Sequence, residues 1–371
     1  MTEVKDIKLR VIFNSFGQET IEAIINNKFS ASSSGGISRS SFEAKVISPY
    51  KAIKNFSKIK NKLLGDFSQR EFDYILKKYE NKLGSILTTS LSSAFFIMEF
   101  ESEKYEKRYF PKLLVNVLGG GKHSFISGPE IQEFLVIPKG KTIKDIIKKA
   151  IDIWNEVREE LKNRNALFGL NPETAWLSNI SNEEALELVS KIAKRYNSSI
   201  GIDFAASSIY KNGRYVYRNK ELSREEQIDY VLKISKDFKL RYIEDPLCEL
   251  DGKGFKELRR RTKSLICGDD LIATKYERLK RFKDSINAVI IKPNQAGTVT
   301  ECLEIINFSR KNKIISIVSH RSTKTSCTSE AKLSLLADAA KFSVTGIDSA
   351  RCNELLRIWD EVNNPKIREM I

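Results

Sequence analysis

Three short apolar runs in the second half of the chain end in carboxylates. Asp203 closes SIGID, Glu244 and Asp245 follow RYI, and Asp269 with Asp270 follows LICG. Lys292 follows the next run, AVII, and His320, Arg321 and Ser322 follow IISIVS. One acid at such a place is more often a helix cap or a loop contact. Three on consecutive runs would converge, and carboxylates brought together repel one another unless a cation joins them. Hard oxygen ligands of this kind suit Mg²⁺. A lysine near a divalent cation is neutral often enough to act as a base. A metal-held carboxylate beside such a base is apparatus for removing a proton α to a carboxylate, because the metal stabilises the charge that develops.

The elements that must position these residues follow from the same runs. SIGIDFAAS, LRYIEDPL, SLICGDDLI, AVIIKPNQ, IISIVSHRS and FSVTGI alternate with amphipathic helical stretches. Capping boxes mark helix starts at Ser223 with Glu226 and at Thr298 with Glu301; after the second, Val299, Cys302, Leu303 and Ile306 share one face. Six consecutive βα units predict an α/β fold closed into a TIM-like barrel, with chemistry at the C-terminal strand ends. No GxGxxG follows a strand, and Gly119-Gly120-Gly121-Lys122 lacks the Walker spacing. The first hundred residues read as a mixed unit: extended segments at Ile7 to Asn14 and Glu19 to Ile25, then helices rich in Lys, Leu and Phe. A Ser/Gly run from Ala31 to Ser41 is a plain loop or a mobile lid. With 371 residues the chain is long enough for two units, an N-terminal α+β capping domain (1–110) and the barrel (111–371).

The formal charge of +15 invites a nucleic-acid partner. The densest runs, Arg259-Arg260-Arg261 and Lys280-Arg281-Phe282-Lys283, fall on predicted barrel helices, where a solvated outer face accounts for them. No specific nucleic acid and no membrane are expected, and the protein should stay in the cytosol. The five cysteines form no CxxC pair, so neither a disulfide framework nor a thiolate metal site is indicated.

With the strand ends in view, the chain resembles the enolase family. The motifs are VNVLGGGKHS, IQEF, GIDFAAS, IEDPL, GDDL, IKPNQAGTVTE, SHRS and NELLRI, with NSFGQETIE and KLGSI in the first hundred residues. The pairing of a lysine base with Mg²⁺ is the pattern of the enolase superfamily. The resemblance implies reversible dehydration of 2-phospho-D-glycerate to phosphoenolpyruvate with two Mg²⁺ per site, in at least a dimer. It implies that Asp203, Glu244 and Asp269 hold the tight Mg²⁺ and that Lys292 removes the C2 proton. Glu173, in NPETA, with Glu133 of IQEF beside it, would help hydroxide leave. His123 and His320 would line the substrate site, Arg321 and Ser322 would bind the phosphate, and Ser38 would help recruit the second Mg²⁺. Four departures stand against the pattern: GDEGG becomes NPETA; the lysine of IKTG becomes Val344 in FSVTG; GETEDT becomes TKTSCT, bringing in Lys324; and the arginine of SRG becomes Phe16, while Ser38 aligns only with a one-residue insertion. Two functional classes follow: an enolase that uses Lys324 or Lys122 in place of the missing lysine, or an enolase-fold paralogue with another substrate or a binding role.

Overall fold

The computed structural model describes residues 1–33, 35, 45–102 and 109–369. Ser38 and most of the Ala31 to Ser41 run lie outside the described residues.

Eight strands close a barrel, numbered here β1 (Lys112–Gly119), β2 (Glu133–Ile137), β3 (Ser199–Asp203), β4 (Tyr242–Glu244), β5 (Leu265–Gly268), β6 (Ala288–Ile291), β7 (Ile315–Ser319) and β8 (Ala339–Lys341). The six βα units expected from the sequence run from β3 to β8, all parallel. β8 closes on β1 in parallel, with Lys341 opposite Leu114. β2 runs against both its neighbours, β1 and β3. A reversed strand delivers its first residue to the mouth rather than its last. Glu133 therefore sits opposite Asp203 in the β2–β3 register.

Each barrel strand is buried along nearly its whole length, which explains why runs such as EFLVI and AVII are almost continuously apolar. Leu114, Leu135, Tyr242, Cys267, Ile290 and Ile317 belong to a cluster that fills the lumen, while Val115, Phe134, Ile243, Ile266 and Val289 face the helices. All five cysteines are free and buried. The basic runs lie on the helices Gly252–Arg261 and Tyr276–Phe282, with Arg260, Arg261, Lys280 and Arg281 exposed.

Two local expectations need correction. The last strand is Ala339–Lys341, three residues upstream of FSVTGI, so its terminal residue is a lysine rather than the apolar segment after it. The capping box at Ser223 and Glu226 forms, but that at Thr298 and Glu301 does not. Glu301 turns instead to Lys77 at 3.3 Å. The helix Val299–Lys311 is capped from elsewhere: Val299 N donates to Ser92 Oγ at 2.8 Å and Thr300 N to Asp73 Oδ2 at 2.8 Å.

Both of those acceptors come from the helix Gln69–Ser102, the spine of the N-terminal unit. It breaks at Gly84, whose φ of +75° and the approach of Ile47 to within 2.9 Å of a Cβ position suit glycine alone. By length and composition this helix could cross a membrane, yet 89% of its apolar window is buried inside the protein. An antiparallel sheet of Ile7–Phe13, Glu19–Ile25 and Phe29–Ser32 packs on it. From this unit Ser15 N donates to the Lys324 carbonyl at 2.8 Å, Ser15 Oγ accepts from Lys324 N at 3.0 Å, and Ser32 bonds Thr325 at 2.8 Å. Those contacts hold the segment that follows His320, Arg321 and Ser322.

Candidate active site

A cavity of about 240 Å³ opens at the C-terminal ends of the parallel strands. Lys122, His123, Glu133, Glu173, Asp203, Asp269, Lys292, Arg321 and Ser322 line it, together with Asp245, Asp270 and Gln295. Asp203, Asp269, Lys292, Arg321 and Ser322 therefore reach one space, while His320 stands behind its lining, 4.0 Å from Glu173. Glu244 lies beneath it, fully buried and joined to its neighbours through Lys341.

Lys341 is the residue the sequence reading missed. Its Nζ lies 2.7 Å from Glu244, 2.8 Å from Glu133 and 3.1 Å from Asp203. The mouth thus keeps a second lysine, and the assignment of that place to Val344 is overturned. Val344 is a buried apolar residue packed in the main core. The same rule that identified Lys292 at the end of AVII identifies Lys341 at the end of ADAAK; the misplaced strand hid it. Lys324 does not substitute for it either, since it is fully buried behind the mouth against Asp348.

The first lysine, Lys292, contacts Asp269, whose other oxygen accepts from Gln295 Nε2 at 3.2 Å. Burial works against the charge of Lys292, but Asp269 holds the ammonium above the ordinary lysine range. Burial likewise works against Asp269, and Lys292 outweighs it, holding the carboxylate below its usual range. Glu244 behaves differently. Burial, then the charge of Asp203, pushes it up to about 8 although Lys341 opposes the shift. Burial and Asp269 push Asp270 up to about 7. The acids outnumber the cations and retain protons that an added cation would release.

The donor set fits a hard divalent ion. Asp203 and Glu244 already converge on one positive centre, the Lys341 ammonium, and the second oxygen of Glu244 is buried without a hydrogen-bond partner. Among the described residues, Asp245, Asp269 and Asp270 also bring ligand atoms within 4.8 Å of one another, as do His123, Glu133 and Glu173.

That last trio forms the opposite wall. Glu173 lies in the turn between Leu167–Leu170 and Trp176–Ser178, where Asn171 Oδ1 accepts from the backbone N–H groups of Glu173 and Ala175, both at 2.9 Å. An asparagine side chain thus fixes the turn that presents Glu173. His123 Nδ1 stands 3.5 Å from Glu173, His320 Nε2 4.0 Å, and Asn116 Nδ2 donates to it at 3.3 Å. Burial raises Glu133 well above the usual carboxylate range, and the charge of Glu173 adds to this. Burial would also raise Glu173, yet His123, 3.5 Å away, holds it well below. The pair therefore shares one proton, held mainly on Glu133.

Comparison with known proteins agrees with this geometry. Residues 107–367 match the family model described as the enolase C-terminal TIM barrel domain. The chain is 34% identical to the enolase of Picrophilus torridus over 97% of this chain and 99% of that protein. It is 33% identical to the enolase of Archaeoglobus fulgidus, covering 98% and 99%, and 35% identical to that of Thermoplasma acidophilum, covering 96% and 98%. With a barrel closed in this topology, two lysines facing acids at its mouth and similarity along nearly its full length, the chain belongs to the enolase family.

Proposed function

We propose that the protein is a working enolase, interconverting 2-phospho-D-glycerate and phosphoenolpyruvate with Mg²⁺ in glycolysis and gluconeogenesis. One observation carries the reading: Lys341 stands among Glu133, Asp203 and Glu244, so the mouth keeps both lysines as well as the acids. The paralogue alternative rested on a missing lysine and loses its ground.

Asp203, Glu244 and Asp269 would hold the tightly bound Mg²⁺. When bound, the metal supplies positive charge where negative charge develops on the substrate carboxylate. Lys292, in its neutral form, would take the C2 proton onto Nζ and become the ammonium; Asp269, which contacts Nζ and favours the ammonium, governs how readily the neutral form arises. Glu173 and Glu133 deliver their shared proton to the C3 hydroxyl, which leaves as water. The proton lost at C2 and the one gained by the leaving group are thus carried by different walls of the cavity. Lys341 grips the substrate carboxylate, Arg321 and Ser322 hold the phosphate, and His123 and His320 flank the leaving group. Ser38 would recruit the second Mg²⁺. Residues 1–110 would form a cap on the barrel of 111–371, in a cytosolic protein assembled as at least a dimer, with no specific nucleic-acid partner.

The test is direct. Purified protein with millimolar Mg²⁺ should form phosphoenolpyruvate from 2-phospho-D-glycerate and stop when the metal is chelated. No turnover in intact, Mg²⁺-saturated protein would reject the reading.

A further inference from the structure

We propose that Asp348 is a positioning residue for His320, fixing its imidazole in the Nδ1–H tautomer so that an unprotonated Nε2 faces the Glu173 end of the proton that Glu133 and Glu173 share. The kinetic part of this inference rests on the proposed function; the tautomer does not.

Asp348 ends a short turn after β8 and leads into the helix Ser349–Glu361. It is fully buried, and its two oxygens are shared among four groups. Oδ2 meets Lys324 Nζ and accepts from the N–H of Ser343 at 3.3 Å, and it lies 2.8 Å from His320 Nδ1, close enough to pair with it but out of line for a regular hydrogen bond. Oδ1 accepts from Arg351 Nη1 at 3.0 Å. Arg351 in turn reaches Glu330 at 3.3 Å and the carbonyl of Thr325 at 3.4 Å.

Lys324 and Arg351 balance Asp348 and Glu330, two charges of each sign, in a region none of whose members is more than about a tenth exposed. The cluster is therefore neutral without a charge on His320. Burial lowers the pKa of His320; Asp348 opposes this, and Lys324 adds to the lowering, leaving the group below the ordinary histidine value. A neutral imidazole carries one proton, and a carboxylate beside Nδ1 places it there. Nε2 is then left with its lone pair, 4.0 Å from Glu173 Oε1. Phe342 lies beside the ring, nearly parallel, with centroids 6.4 Å apart, and limits its rotation. The same arrangement accounts for Lys324 within TKTSCT: a lysine buried at that place requires an acid, and Asp348 is that acid.

The chain has two histidines, so ¹⁵N-histidine NMR reads each ring separately, with His320→Gln to assign them. In metal-free, substrate-free wild type, His320 should show the Nδ1–H tautomer. Asp348→Asn offers an amide donor to Nδ1 and should move the proton to Nε2. The kcat should fall about 10- to 100-fold, as when a group that orients a functional histidine is lost, while KM for 2-phospho-D-glycerate stays within about twofold, the interaction acting after substrate is bound. Because Asp348→Asn leaves Lys324 without its partner, the paired change Lys324→Met with Asp348→Asn provides a charge-neutral version that should show the same tautomer. An Nε2–H tautomer in wild type, an unchanged tautomer in both variants, or a changed tautomer with unchanged kcat would each overturn the proposal. Inactive wild-type protein would instead reject the enolase reading, while the spectra would still decide the tautomer.

Discussion

Replacing Lys341 by methionine tests the argument at its centre. The ammonium is shared by three buried carboxylates at 2.7 to 3.1 Å. Removing one member of a buried charge set costs about 3 to 5 kcal/mol, because the remaining charges stay desolvated. Unfolding entropy of about 2.1 cal/mol/K per residue over 371 residues gives roughly 0.8 kcal/mol per degree, so the melting temperature should fall by about 4 to 6 °C. The sign with pH is fixed. Glu244, already pushed up to about 8, will hold its proton more tightly once Lys341 is gone, so the penalty is small near the ordinary carboxylate value and grows as pH rises. Millimolar Mg²⁺, entering the same acids, should return much of the lost stability to the variant. Catalysis should not return with it: a charged hydrogen bond to substrate is worth about 1.5 to 3 kcal/mol, or about tenfold to 150-fold in kcat/KM. Scanning calorimetry at about pH 6 and pH 8, with and without Mg²⁺, and a phosphoenolpyruvate-forming assay read both halves. A variant that melts with wild type in the absence of metal and keeps kcat/KM within about threefold would refute the reasoning.

Lys292→Ala should remove about a hundredfold to ten-thousandfold of kcat and abolish exchange of the C2 proton with solvent deuterium, while Mg²⁺ binding measured by calorimetry persists. Metal-free wild type should lose stability as pH rises from about 4.5 to about 8, because the folded pKa of Glu244 lies above its ordinary value; saturating Mg²⁺ should flatten that slope, and a metal-free melting temperature rising across the interval would contradict the cause given. Ser92→Ala removes the acceptor for Val299 N and should cost about 1 kcal/mol in urea unfolding, with turnover preserved.

The barrel was legible because its signal is local. Apolar runs ending in acids recur between amphipathic helices, and the C-terminal ends of parallel strands share one face. Asp203, Asp269 and Lys292 follow from that rule without any partner being known. What that rule does not reach depends on direction and on distant contacts. Glu133, named only through the family resemblance, is a strand start that reaches the mouth because β2 is reversed, and no run of residues announces reversal. Lys341 was hidden by a three-residue error in the last strand, where FSVTGI is as apolar as the true strand is short. Asn171 fixes the turn that presents Glu173, by a side-chain acceptor that spacing cannot reveal. Asp348 became recognisable only when Lys324, Arg351 and His320 were found around it.

The cap on the helix Val299–Lys311 also bears on how the chain is made. Asp73 accepts from Thr300, a residue 227 positions later, and is fully buried when it does so. At about 5 to 20 residues per second, a ribosome needs about 10 to 45 s to bring Thr300 out after Asp73. During that interval the buried carboxylate has only Gln69 and Ser92 of its own helix as donors, and without Thr300 its desolvation favours the protonated form or keeps that face wet. The N-terminal unit therefore completes its barrel-facing side last, although it is synthesised first. A nascent chain arrested before residue 299 should expose this face to chaperones, and release of the Val299–Lys311 helix is the moment at which the two halves of the enzyme become one cooperative body.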